Sequence, residues 1–239
     1  MDWAQANQTL YLMPHFFEDK PVERLLGEGI KAEHHHSDVM GRALDKLYAI
    51  GVNKIYTMIA AGAVQRLGLT CRFGHLDATG FHLSVQYNSD KEPEEFVKQI
   101  TKGYSRVSRP DLNQIVLQLI CERQAGIPLL MEPLSGNNSD KESFRQTIKS
   151  DIGQLRSDFK LEYIVADSAL YVAKTLVEMN DFFWISRVPE TLSSAQELIG
   201  NIAPDLMETP DKKSWRVLGS NYGEVNQRWL VIFSPEAYL

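Results

Sequence analysis

Beyond Cys71 the sequence passes through strand-period and helix-period segments in an order that few sheets can accommodate. In "GHLDATGFHLSVQY", residues 74–87, the second half alternates. Phe81, Leu83, Val85 and Tyr87 are apolar and His82, Ser84 and Gln86 polar, the period of a half-buried strand. Ahead of it "CRFGHLD" is read as another strand, with "ATG" as the turn between them. "NQIVLQLICE" then gives a third apolar strand that turns at "RQAG" and continues through "IPLLMEPLS". A helix comes next in "SDKESFRQTIKSDIGQLRSDF", where Ser139 stands three residues before Glu142, the spacing of a capping box. After it come a short strand, "LEYIVAD", a helix, "SALYVAKTLVEMN", a strand, "DFFWISRVP", and a helix, "TLSSAQELIG". The remainder, "KSWRVLGSNYGEVNQRWLVIFSP", reads as further strands with turn residues between them.

Three antiparallel strands, a helix, a strand, a helix and a strand make the order of the RNase H-like α/β fold. In that fold the first and fourth strands lie side by side at the centre of a mixed sheet. Asp77 falls on the first strand and Asp167 at the end of the fourth, so the order brings two carboxylates to one edge of the sheet. Carboxylates at strand ends in a core are costly unless paired or used, and metal binding would use both.

The 239 residues are 44% hydrophobic, enough for one good core and a small second one. A formal charge of −6 excludes a protein that coats nucleic acid with an overall basic surface, so any such contact is local. Cys71 and Cys121 show no metal-ligand spacing and no disulfide framework, and a cytoplasmic setting is expected. No apolar run reaches the length of a membrane span, and the N-terminus lacks a signal-peptide layout, so no membrane partner is expected.

Residues 1–69 read as a small helical domain, with Leu44, Leu47, Tyr48, Ile55, Ile59 and Val64 at spacings near three and four. Its charge is nearly balanced: Lys20, Arg24, Lys31, Arg42, Lys46, Lys54 and Arg66 stand against Asp2, Glu18, Asp19, Glu23, Glu28, Glu33, Asp38 and Asp45. The run His34, His35, His36 reads as a solvated connector, since adjacent side chains do not converge on one ion.

Several long phrases carry a resemblance over essentially the whole chain: "FFEDKPVERLLGEGIKAE", "GHLDATGFHLSVQY", "GYSRVSRPDLNQ", "GIPLLMEPLSGNNSDKESF" and "YIVADSALY". The sequence resembles bacterial insertion-sequence transposases of the DDE type, from the group in which a β-rich insertion interrupts the catalytic core. The resemblance implies a helical N-terminal domain over 1–69. It also implies an RNase H-like catalytic domain over 70–239 that ends in a partial β-rich insertion. It places the first catalytic acid at Asp77 and the second at Asp167, both as ligands of Mg²⁺ or Mn²⁺, with two ions in a complete enzyme. Two such ions can stabilise the attacking and leaving oxygens of a phosphodiester, and magnesium favours hard oxygen ligands. The implied partner is transposon-end DNA, bound by a homodimer. The family's third acid, a helical glutamate beyond the insertion, has no counterpart before "LVIFSPEAYL", and Glu236 lacks its setting. The resemblance therefore implies a chain that, as given, does not transpose DNA. An open β-rich end would leave Trp229, Leu230, Ile232 and Phe233 exposed.

Simpler readings stand beside these. An aspartate at a strand end often caps the next helix or turn, and "ADSAL" suits Asp167 to that role. Lys102, Tyr104, Arg106 and Arg109 form a basic, aromatic-interleaved stretch that could hold phosphates near the acids or be a solvated loop. His75 and His82 flank Asp77, and His82, on the polar face of its strand, is expected to be exposed. Two other functions remain open: a truncated, non-catalytic transposase that binds DNA or dimerises as a regulator, and a haloacid-dehalogenase-like phosphatase suggested by "LDATG". The latter lacks its second acid, since position 79 is Thr79, and needs a parallel sheet.

Overall fold

The computed structural model describes residues 10–83, 98–104, 109–179, 181–207 and 214–235. The chain divides into two compact units, Met1–Met58 and Ile59–Leu239, and the division falls inside a helix.

The N-terminal unit contains α1 (Met13–Phe17), α2 (Val22–Leu26) and α3 (Ser37–Ile50), and it reaches into α4 (Val52–Leu67). Pro14 opens α1, where a missing amide costs nothing. Gly27 closes α2 at φ 128°, and Gly51 closes α3 at φ 97°, conformations that a side chain would resist. The histidine run forms a single turn: the Lys31 amide donates to His34 Nδ1, and the His35 ring lies 4.7 Å from that of Phe17. Val22 is the one buried side chain of this unit among the described residues. Among the described residues no single helix is long and apolar enough to cross a membrane; α3 and α4 would pass only if joined, and they are bent by 85°.

The C-terminal unit is a mixed α/β structure. Its elements are β1 (Phe73–Leu83), β2 (Thr101–Lys102), β3 (Asn113–Glu122), β4 (Pro128–Ser135), α5 (Asp140–Ser150) and α6 (Ile152–Phe159). They continue with β5 (Tyr163–Ala166), α7 (Ala173–Glu178), β6 (Phe183–Ser186), α8 (Ser193–Leu206), β7 (Ser214–Tyr222) and β8 (Val225–Phe233). The main sheet runs β4, β3, β1, β5, β6, with β2 extending the β4 side along the start of β3. The β4–β3–β1 pairs are antiparallel and the β1–β5–β6 pairs parallel.

Two local expectations are corrected. "ATG" is no turn: β1 runs unbroken from Phe73 to Leu83, with Ala78, Thr79 and Gly80 paired to Gln118, Leu117 and Val116. The apolar positions change phase along this one strand, from Leu76 and Ala78 on the buried face to Phe81 and Leu83 on the other, which is why period alone suggested two strands. Residues 84–87 of that phrase lie outside the described residues. The turn at "RQAG" is real, and it joins β3 to β4. The helix expected after Ser139 forms, but without the capping box: Ser139 makes no side-chain cap, and Glu142 turns to Arg145 at 3.4 Å. An ion pair on the helix surface competes with the cap.

One sheet face carries the core. Leu76 and Ala78 of β1, Val116 and Ile120 of β3, Leu134 of β4 and Ile164 of β5 are buried, as are Phe144 and Ile148 of α5 and Leu155 and Phe159 of α6. Each large side chain buried this way contributes about 1.5–3 kcal/mol. Gly74 is needed for the close approach of Leu161, since a Cβ there would meet Ile120 Cγ2 at 2.9 Å. On the other face Phe73, Tyr163 and Phe183 stack across β1, β5 and β6 with ring centres 4.9 and 5.2 Å apart. The Arg72 guanidinium sits 5.7 Å and 5.3 Å from the first two rings.

β7 and β8 form a separate hairpin whose two-residue loop has Gly223 at φ 58° and Glu224 at φ 65°. Positive φ at both positions is the primed turn that matches strand twist. Leu230 and Ile232 are exposed, as expected, but Trp229 is buried. Its indole Nε1 donates to Tyr171 Oη at 2.9 Å, and Tyr171 donates to Gln227 at 2.7 Å. A satisfied indole inside an apolar cluster outweighs the expectation of an open end.

Candidate metal centre at the end of β5

β1 is longer than its parallel neighbour. The β1–β5 register pairs Phe73 with Tyr163 and ends at Leu76 with Ala166. Asp77 and Asp167 are the next residue on each chain, so the two acids leave the last bridge side by side, on strands about 4.8 Å apart. Both are exposed. Asp77 shares its face of β1 with His75 and Thr79, opposite the buried Leu76 and Ala78.

Each carboxylate is held by a backbone amide. Asp77 Oδ1 accepts from the Ala78 amide at 2.8 Å, and Asp167 Oδ1 accepts from the Ala169 amide at 2.9 Å. Ser186 of β6 fixes the second acid from the far side, donating through Oγ to the Asp167 carbonyl at 2.7 Å. Sequence reading missed Ser186, because a serine at the end of a four-residue strand carries no local mark of a partner nineteen residues back. Across β3, burial pushes the Cys121 thiol above its ordinary range, and the charges of Glu122 and Asp77 push it further. That thiol is no candidate for a metal thiolate at neutral pH.

Among the described residues no group of three or more His, Cys, Asp or Glu side chains is arranged to hold a metal ion. Two adjacent exposed carboxylates fit a hard divalent cation that keeps several waters and takes phosphate oxygens as further ligands. They do not form a closed protein cage.

The basic stretch stands elsewhere. Lys102 pairs with Asn113 at the start of β3, whereas Asp77 pairs with Leu119, which puts the two roughly 20 Å apart along the strand. Tyr104 is almost fully exposed, and Arg106 lies outside the described residues. Arg109 is committed to Asp111 at 2.7 Å, and this hydrogen bond pulls the Asp111 carboxyl down to about 2. The stretch is tied down by Gln114, which is buried and donates through Nε2 to the carbonyls of Tyr104 at 3.0 Å and Gly136 at 2.6 Å. Gly103 and Gly136 cross so tightly there that a Cβ on either would lie 2.0 Å from a backbone oxygen.

A second polar cluster lies under the sheet. Gln118 is fully buried and donates through Nε2 to Thr147 Oγ1, while Gln118 Oε1 has no partner among the described residues. Burial and the nearby charge of Asp151 raise Glu132, which lies 3.4 Å from Thr147 Oγ1, above the usual carboxylate range.

Comparison with known proteins gives three findings. Residues 4–61 match a family described as a domain of unknown function, DUF4277. No curated protein matches the chain. Among solved structures the chain is similar to the Mos1 mariner paired-end complex with Mn, at 12% identity and a TM-score of 0.31 over 63% of this chain and 47% of that one. It is also similar to the Mos1 transposase paired-end complex with the left transposon end, at 10% identity and a TM-score of 0.32 over 85% of this chain and 62% of that one. The chain thus spans about half to two thirds of the length of these structures.

Proposed function

We propose that Ile59–Leu239 carries an RNase H-like core in which Asp77 and Asp167 hold a divalent cation for phosphodiester chemistry on DNA, the chemistry of a DDE transposase. The observation that supports this most is the placement of the acids one residue beyond the last β1–β5 bridge. The sheet order β4, β3, β1, β5, β6, with its switch from antiparallel to parallel at β1, supports the same reading, as do the phrases that resemble insertion-sequence transposases. It also disfavours the dehalogenase-like alternative, which needs a parallel sheet.

When bound, Mg²⁺ or Mn²⁺ lowers the pKa of a water or hydroxyl nucleophile and neutralises charge on the phosphate. Asp77 and Asp167 hold the cation, and the Ala78 and Ala169 amides and the Ser186 hydroxyl keep the two acids oriented. Lys102 and Tyr104, roughly 20 Å away along β3, are suited to a distant stretch of DNA backbone rather than to the scissile phosphate. The substrate would be a transposon end, engaged by two copies of the chain.

The test is Mn²⁺ binding followed by proton relaxation, together with nicking of supercoiled plasmid in Mn²⁺. With two carboxylates the expected affinity is weak, and Asp77→Asn or Asp167→Asn should lower it by about tenfold or more. Asparagine keeps the oxygen that accepts the backbone amide, so the fold should survive. Mn²⁺ binding that neither substitution changes would remove the metal reading and leave both aspartates as caps of the neighbouring backbone.

A further inference from the structure

Two strand edges of the C-terminal unit face one groove. It has a volume of about 1190 Å³ and is lined by two unbroken runs, 182–188 at β6 and 225–232 on β8. Successive side chains of a strand point to opposite faces, so only an edge presents every residue to the same space. Among the described residues β6 pairs with β5 alone and β8 with β7 alone. Tyr222 and Val225 close the two-residue loop as a hydrogen-bonded pair, so from Val225 every second residue bonds β7. The amides and carbonyls of Asn226, Arg228, Leu230 and Ile232 therefore point away from β7, toward the groove. Tyr171 lies between the two walls: its ring centre is 6.0 Å from that of Trp184 on β6, and its hydroxyl accepts the Trp229 indole of β8. Phe183, Ile185, Leu230 and Ile232 along the walls are each more than half exposed. Arg228 is exposed and forms no ion pair among the described residues.

We infer that the groove takes an extended segment of another protein, which adds as a strand between β6 and β8, turns apolar side chains toward Tyr171 and sets a carboxylate beside Arg228. β6, bonded on one side only, also turns half of its amides and carbonyls outward. Both walls thus offer donors and acceptors in alternation, and an extended backbone is the ligand that answers both. Size agrees. At the spacings of strands and packed sheets an extended residue fills roughly 160 Å³, so the cavity holds about seven, close to the length of the runs that wall it. A second copy of this chain is disfavoured, because an inserted strand needs both edges free and each of β1 to β8 already has a partner on at least one side. The phosphates of nucleic acid or lipid would accept from the amides and leave the carbonyls without a donor. A segment that becomes ordered only on binding loses part of what its contacts give, so the complex should be weak, in the micromolar range.

Titration calorimetry of the whole chain, in EDTA and without DNA, tests this independently of the two acids. The probe is a capped peptide that alternates valine with threonine around one central glutamate. Saturable binding is expected, and N-methylation of every second peptide amide should weaken it by about tenfold or more, because the bonds to one wall are then lost. Ile185→Lys or Leu230→Lys should do the same while far-ultraviolet circular dichroism stays unchanged, since both side chains already face water. Arg228→Glu should weaken binding of the glutamate peptide and strengthen that of its lysine counterpart, each by about threefold or more. No binding at any peptide concentration, equal binding of the methylated and unmethylated peptides, or binding indifferent to all three substitutions would overturn the proposal. So would sedimentation in which the wild-type chain self-associates and Ile185→Lys does not, since the groove would then belong to a second copy.

Discussion

Glu122 shows how one residue can be legible in type and illegible in role. At the end of an apolar strand it is buried, and its carboxylate accepts the amides of Gln124 at 2.6 Å, Ala125 at 2.6 Å and Ile127 at 3.1 Å. Burial alone would raise this carboxyl; the turn amides win and hold it below its ordinary value. A carboxyl depressed in the folded state stabilises above its unfolded pKa and loses that contribution as pH falls through its folded value. Glu122→Gln should therefore cost about 1–3 kcal/mol at pH 7. In urea denaturation the gap between the two proteins should close as pH drops below about 4. Asp77 and Asp167 were singled out as candidates by the order of elements and by the resemblance, both of which the sequence carries. Ser186 and Gln114 were not, because their hydrogen bonds join segments distant in sequence.

Among the elements, the crossing of Gly103 over Gly136 binds three stretches of chain at one point. Ser135 Oγ also accepts the Gln99 amide at 3.0 Å, and the Gly136 amide reaches the Gln99 carbonyl at 3.0 Å. Because a Cβ at Gly136 would sit 2.0 Å from the Gln114 carbonyl oxygen, backbone rather than a flexible side chain would have to yield. Gly136→Ala should lower the urea midpoint by the equivalent of about 1–3 kcal/mol or more. Gly153→Ala is the control: no atom lies within 4 Å of its added Cβ on α6, and it should be neutral or stabilise by up to about 1 kcal/mol. The sequence placed most helices and strands, since their periods are local properties. It misplaced a turn inside β1 and a capping box before α5, where a sheet partner and an ion pair decided the outcome.

For the molecule as a whole, the order of elements carried most of what could be read in advance, including the neighbouring places of the two acid-bearing strands. What it could not carry was length. β1 has two sheet neighbours from Gly74 to Leu76, and beyond that, among the described residues, it has β3 alone. Asp77 stands where the count changes. A strand held on both sides opens only when the whole unit unfolds, whereas a stretch that forms the edge of a sheet, held on one side, can fray by itself. Deuterium uptake, measured residue by residue, should therefore be slowest from Gly74 to Leu76 and faster from Thr79 to Leu83, with the break at the first acid. A ligand gripped at that break would touch one part of the protein that hardly ever breathes and another that does so often. Binding there should slow exchange in the outer, edge part of β1 far more than in its inner part.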